Sequence, residues 1–141
     1  MDGGGGDLIT DGCPDRISTD CPTIQAALAG AIGLWNQMAE DGVEHLVFFF
    51  YPDHQIDARL KTMVDTLRPL LEHACTSAAL PCHWLDLRPT FAGKYDEYIV
   101  PGELTQTEAG AFATAGAIWS VMQQYCCCAV RAGSLTPHMA R

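Results

Sequence analysis

The stretch Val43–Tyr51, VEHLVFFFY, limits what this chain can fold into more than any other. It is an apolar run rich in β-formers, without the polar alternation of a one-sided strand from Leu46 on. A strand of that kind is covered on both faces, and strands covered on both faces belong to parallel sheets. It is also far too short to span a bilayer. Cys82–Leu87, CHWLDL, is expected to be the next buried strand. Between and around them, apolar residues recur at helical spacing. Ile24, Leu28, Ala31, Ile32, Trp35 and Met38 form one stripe, with Pro22 in its first turn, Asp20 or Thr23 as cap and Asp41-Gly42 as stop. Leu60, Met63, Val64, Leu67, Leu70, Leu71 and Ala74 form a second, over Asp57–Ala74. Pro69 predicts a kink or restart there after Leu67, and His73 suits the last turn. Ala109, Phe112, Ala115, Gly116, Trp119 and Met122 form a third, running to about Tyr125. Thr105 followed by Glu108 has the spacing of a capping box for that helix. Helix–strand–helix–strand–helix predicts a three-layer α/β/α domain with a parallel sheet.

The 141 residues suffice for one domain. A net charge of −9, with only eight scattered basic residues, argues against binding a phosphate backbone. Seven cysteines are many for a reducing compartment. Cys13 and Cys21 flank one short loop, and Cys75 and Cys82 flank another. Two loop-closing disulfides are the simplest reading, with free buried thiols as the alternative. Disulfides predict a secreted or periplasmic protein. Met1-Asp2-Gly3 has neither the basic nor the apolar region of a signal peptide, which places the expected natural N-terminus upstream. No cysteine or histidine spacing calls for a metal, and nothing calls for a cofactor.

His83–Gly110, HWLDLRPTFAGKYDEYIVPGELTQTEAG, resembles the last catalytic block of the SGNH (GDSL-type) hydrolases. The matching residues are Asp86-Leu87-Arg88-Pro89, Gly93, Tyr95-Asp96-Glu97-Tyr98-Ile99 and Thr107–Gly110. The glycine run Met1–Asp7 is similar to the family's third block, although alone it would read as a flexible leader. The resemblance covers 1–126 and implies the C-terminal part of a flavodoxin-like SGNH domain, with 127–141 as an unstructured tail. It also implies where the site is altered. The family's oxyanion-binding Asn falls on Gly6 and the Asp after it on Asp7. The catalytic Asp falls on Gly102 and the catalytic His on Thr105, while the nucleophile and second blocks have no counterpart. A carboxylesterase-like protein with little or no activity by the family route is therefore expected, since that route needs an activated serine and oxyanion donors.

The rim at the carboxyl ends of the strands is where open α/β sheets bind ligands. Asp7, Asp53, His54 and Arg88 are expected there, with Thr105 at the next helix N-terminus. His54 is the candidate substitute base, acting on Thr105 or a nearby serine towards a small ester or acyl substrate; Asp53 and His54 otherwise read as solvated turn residues. Asp96 and Glu97 are too local for glycoside hydrolysis. A non-catalytic binding or assembly protein on the same scaffold is the alternative. The family sheet has five strands. This chain offers two and a fragment at Asp2–Ile9, which predicts an open apolar edge at Val43–Tyr51 and hence a homodimer or larger oligomer.

Overall fold

The computed structural model describes residues 8–9, 11–14, 16–53 and 57–125. Gly6, Asp7, His54 and the predicted tail lie outside the described residues. In chain order the elements are α1 (Pro22–Glu40), β1 (Leu46–Phe50), α2 (Ala58–Thr76), β2 (Cys82–Asp86), α3 (Arg88–Phe91), α4 (Tyr95–Tyr98) and α5 (Glu108–Tyr125). The chain is mixed α/β. β1 and β2 pair in parallel, Leu46 opposite Cys82 and Phe50 opposite Asp86. Among the described residues these two strands make up the sheet. Leu8 and Ile9 are helical, which corrects the predicted strand fragment Asp2–Ile9 at that end.

One face of the sheet carries the core. Leu46, Phe48 and Phe50 point to the same side and are buried. α1 and α2 cover them with Ile24, Trp35, Met63, Leu67 and Leu71. The Trp35 ring meets Phe48 edge-on at 5.0 Å between centroids, a favourable approach for two quadrupoles. Cys13–Cys21 and Cys75–Cys82 are both disulfide-bonded, with Cα separations of 5.8 and 5.2 Å. The second ties the end of α2 to the start of β2. Both bonds are consistent with an oxidising compartment. No helix among the described residues is long and apolar enough to cross a membrane.

Local signals end the helices much as the sequence predicts, with four corrections. α1 stops in a Schellman turn: Val43 N–H reaches Met38 O and Gly42 N–H reaches Ala39 O, and Gly42 takes φ +82°. Its N-cap, however, is Cys21, without a side-chain cap bond; Thr23 instead donates its hydroxyl to Gly12 O. α2 begins at Asp57, whose carboxylate accepts from Arg59 N and Leu60 N at 2.7 and 3.1 Å. It runs through Pro69 as one helix, where a kink or restart after Leu67 is predicted. Leu67 and Leu71 are fully buried on either side of the proline, and that burial outweighs one lost backbone hydrogen bond.

The third correction concerns the cap of α5. Thr107, not Thr105, supplies it: Gly110 N–H donates to Thr107 Oγ1 at 3.1 Å, and that hydroxyl donates to Glu97 O at 2.7 Å. The fourth is the face α5 presents. Gly110 and Thr114 are its buried residues, whereas Phe112 is 71% and Trp119 53% exposed. A Cβ on Gly110 would collide with the Tyr98 carbonyl. Close approach to α4 therefore selects the glycine face, and the apolar stripe turns outward.

Candidate functional site: the charged rim at the strand ends

The carboxyl ends of β1 and β2 open onto a set of paired charges. Asp86 ends β2. Its Oδ1 accepts from Arg68 Nη1 at 3.0 Å and from Arg88 N at 2.9 Å; its Oδ2 accepts from Arg88 Nε at 2.8 Å and Nη2 at 2.6 Å. Arg68 comes from α2 and is only 4% exposed. Its Nη1 also donates to Tyr51 O at 3.0 Å, and its guanidinium lies 4.9 Å over the Phe50 ring. Two turns earlier on α2, Lys61 Nζ pairs with Asp65 at 2.5 Å and with Asp53 at 3.8 Å. Asp53 N–H donates to Tyr95 Oη at 2.6 Å, which joins α4 to the loop after β1.

These contacts set the charge states. Burial pushes the Asp86 carboxyl up, but hydrogen bonds from Arg88 and the charge of Arg68 outweigh it and hold the group below its ordinary value. Burial lowers the Arg68 guanidinium, opposed by Asp86. Burial raises the Tyr95 phenol. Arg88 and Arg68 thus hold Asp86 ionised, and Asp86 in turn raises the Arg88 guanidinium. A carboxylate held down in this way is a poor general base near neutral pH. Asp53 Oδ1, Asp65 Oδ1, Arg68 Nε and Arg68 Nη2 are buried without a hydrogen-bond partner among the described residues, so the rim retains both donors and acceptors.

The sequence-predicted site residues divide. Asp53 and Arg88 sit on this rim. Gly102 and Thr105 sit on an exposed turn closed by Val100 N–H to Thr105 O at 2.9 Å and by the Ile99–Gln106 bridge. Gly102 takes φ +80° there. Thr105 thus lies before the helix it was expected to begin, with an exposed side chain. Among the described residues, histidine side-chain hydrogen bonding joins His45 to His83, not a histidine to a serine, threonine or cysteine. No family model, no curated protein and no solved structure matches the chain.

Arg68 and Lys61 are the rim residues that sequence reasoning missed. A signal for Arg68 is present: it follows Leu67 and stands four residues after Val64, so it falls on the buried stripe of α2. A charged residue in such a stripe requires a buried partner. Three of the glycine and threonine positions in 83–110 serve the scaffold. Gly93 takes φ +73° in the turn after α3, Thr107 caps α5, and Gly110 admits the Tyr98 carbonyl. Among the described residues no group of three or more histidine, cysteine, aspartate or glutamate side chains is arranged to hold a metal ion. An open groove of about 350 Å³ lies between α1 and the end of α2, lined by Ile32, Trp35, Ala74 and Ala78, away from the rim.

Proposed function

We propose that this chain is a catalytically silent relative of the SGNH (GDSL-type) carboxylesterases, a secreted or periplasmic three-layer domain that serves as a scaffold rather than as an enzyme. The observation that carries this reading is the state of the rim. Its acids and bases neutralise one another around Asp86, and the positions matching the family's Asp and His are Gly102 and Thr105, which supply no titratable group. Proton transfer to and from a serine requires a base of suitable pKa within hydrogen-bond reach. The test is hydrolysis of a p-nitrophenyl acetate solution by the purified protein, with a fluorophosphonate probe alongside. No turnover and no labelled serine is the expected result. Turnover with one labelled serine would overturn the reading, and its loss in His54→Ala would identify the substitute base.

What such a scaffold would bind is suggested by α5. Phe112 and Trp119 stand 71% and 53% exposed, seven residues apart on one side of an 18-residue helix. Large aromatic side chains in that position favour a protein contact over solvent. A homodimer or larger oligomer joined through α5 is the expected state. Light scattering on the eluting protein tests it: the oligomer should fall to monomer in Trp119→Glu, and a monodisperse wild-type monomer would sink the assembly reading.

A further inference from the structure

The opposite end of the strands holds a feature that the rim does not use. His45 immediately precedes β1, and His83 is the second residue of β2. Val47 pairs with His83. Side chains alternate along a strand, so His45, two residues before Val47, falls on the same face as His83, the face that α5 covers. His45 Nδ1 and His83 Nε2 lie 3.1 Å apart, while the ring centroids are 5.3 Å apart at 19° between planes. The rings meet end to end, each nitrogen aimed at the other. The face of His83 is covered by Tyr125 from the last turn of α5, at 4.3 Å between centroids and 13° between planes. His83 is half-buried and His45 is exposed.

Such a bond depends on the number of protons the pair carries. A neutral imidazole has one N–H and one lone pair. With both rings neutral, one inner nitrogen donates and the other accepts. A first extra proton on the donor ring's outer nitrogen leaves the bond in place and makes it charge-assisted. A second proton must fill the accepting nitrogen. Two N–H groups then face each other across 3.1 Å, each on a positive ring, and the contact turns repulsive. Neighbouring charges do not offset this. Among the described residues, no ion pair includes either histidine. From α5, the phenol Tyr125 faces the pair. Glu44, next to His45 in the chain, is exposed, and Asp41 before it accepts from Gln37 Nε2 at 3.0 Å. Burial and then the charge of His45 hold the His83 imidazole below its ordinary value.

We propose that the His45–His83 contact is an acid-released latch that ties the entry of β1 to β2. Protonation of both rings breaks the hydrogen bond, and the exposed His45 swings into solvent while Tyr125 keeps His83 in place. The sign of the linkage follows from the second proton. The unfolded chain takes it near the ordinary 6.5, and the folded pair takes it at a lower pH. The latch therefore stabilises fully above that value and is lost as pH falls through the lower titration step of the pair. Histidine is the side chain whose ordinary titration falls in this range, which is why a histidine pair can sense mild acid.

The test follows the histidine ring protons of the full-length, tag-free protein by NMR from about pH 8 to 5, the range in which histidine titrates. The His83 ring should be half-protonated below 6.5, and magnetisation transfer between the two rings should vanish once both are protonated. His45→Gln removes the second charge, so the His83 titration should move up. Urea unfolding over the same range gives the stability readout. The wild-type midpoint should fall with pH, and the fall should be smaller in His45→Gln. Asp86→Asn should keep the wild-type slope here, because the Asp86 carboxyl titrates below its ordinary 3.8. A His83 ring that titrates at or above 6.5, or that His45→Gln leaves unmoved, overturns the proposal. So does a ring contact that outlasts protonation of both histidines, or a wild-type urea midpoint that does not fall.

Discussion

The two faces of the small sheet are built differently. On the α1/α2 face, Phe48 and Phe50 have no exposed surface, Trp35 and Leu71 have 1%, and the Cys75–Cys82 disulfide ties helix to strand. On the α5 face, Val47, Phe49, His83 and Leu85 are only half-buried, and the helix above them buries just Gly110 and Thr114. One face holds by apolar burial. The other holds by specific contacts: the Gly110–Tyr98 approach, the Thr114–Gln106 hydrogen bond at 3.1 Å and the Tyr125–His83 stack. Apolar burial is non-directional and tolerates small shifts, whereas such contacts fix the rotation of a helix whatever its hydrophobic pattern.

The sharpest way to break this contrast is a pair of matched truncations. Phe48→Ala should cost about 3–5 kcal/mol, for a buried ring replaced by a cavity. Phe112→Ala should stay within about 0.5 kcal/mol in the dissociated protomer, as an exposed position does, and should cost more where the α5 oligomer forms. Urea unfolding of both variants, followed by tryptophan fluorescence, gives the two values. Equal costs would mean that α5's apolar stripe is covered in solution, as the proposed oligomer requires.

The charged rim should come next in size. Asp86→Asn leaves Arg68, 4% exposed, without its charge partner. Removing one member of a buried pair costs about 3–5 kcal/mol; Asp86 is 22% exposed in its side chain, which places the expected loss at or below the lower end. The same carboxylate predicts an acid limb. Its folded pKa lies below the ordinary 3.8, so the unfolded chain takes up the proton first as pH falls. The contribution is complete above that value and is lost as pH descends through the folded pKa. Chemical denaturation from pH 6 down to about 2 should show this loss in the wild type and a flatter profile in Asp86→Asn.

The smallest effects discriminate most finely between packing and propensity on α5. Gly110→Ala gains helix propensity but drives a methyl into the Tyr98 carbonyl, so a net loss of about 1–3 kcal/mol is expected. Gly116→Ala meets nothing within 4 Å and should stabilise by up to about 1 kcal/mol. Melting curves of the two variants should move in opposite directions. A stabilised Gly110→Ala protein would show that α5 does not need its close approach to α4.

The legible part of the fold was the part governed by apolar periodicity. The stripe of α2 points inward as its spacing predicts, from Leu60 through Leu71, and the run LVFFF is the first strand. The loop-flanking cysteines pair as their spacing suggests. The predicted face of α5 fails because its pattern measures hydrophobicity, while its seating is decided by a glycine, two threonines and a tyrosine. On the rim, Asp53 and Arg88 were legible from their place after the strands. Lys61 was not, because it arrives from a helix surface that reads as ordinary charge spacing; Arg68 carried a signal in its place on the buried stripe of α2, but its partner Asp86 did not show.

The sequence by itself determined the three long helices and the two strands, that the strands are parallel, which cysteines lie close enough to bond, and that Gly42 ends the first helix. Each of these follows from local spacing and backbone sterics. Only the tertiary structure decided that Arg68 is buried against Asp86, that α5 turns its aromatic stripe outward, and that His45 and His83 share a proton across the strand ends. Those outcomes depend on partners 18, 12 and 38 positions apart in the chain. Charge pairing, close backbone approach and ring-to-ring hydrogen bonding act only after hydrophobic burial has brought such partners together.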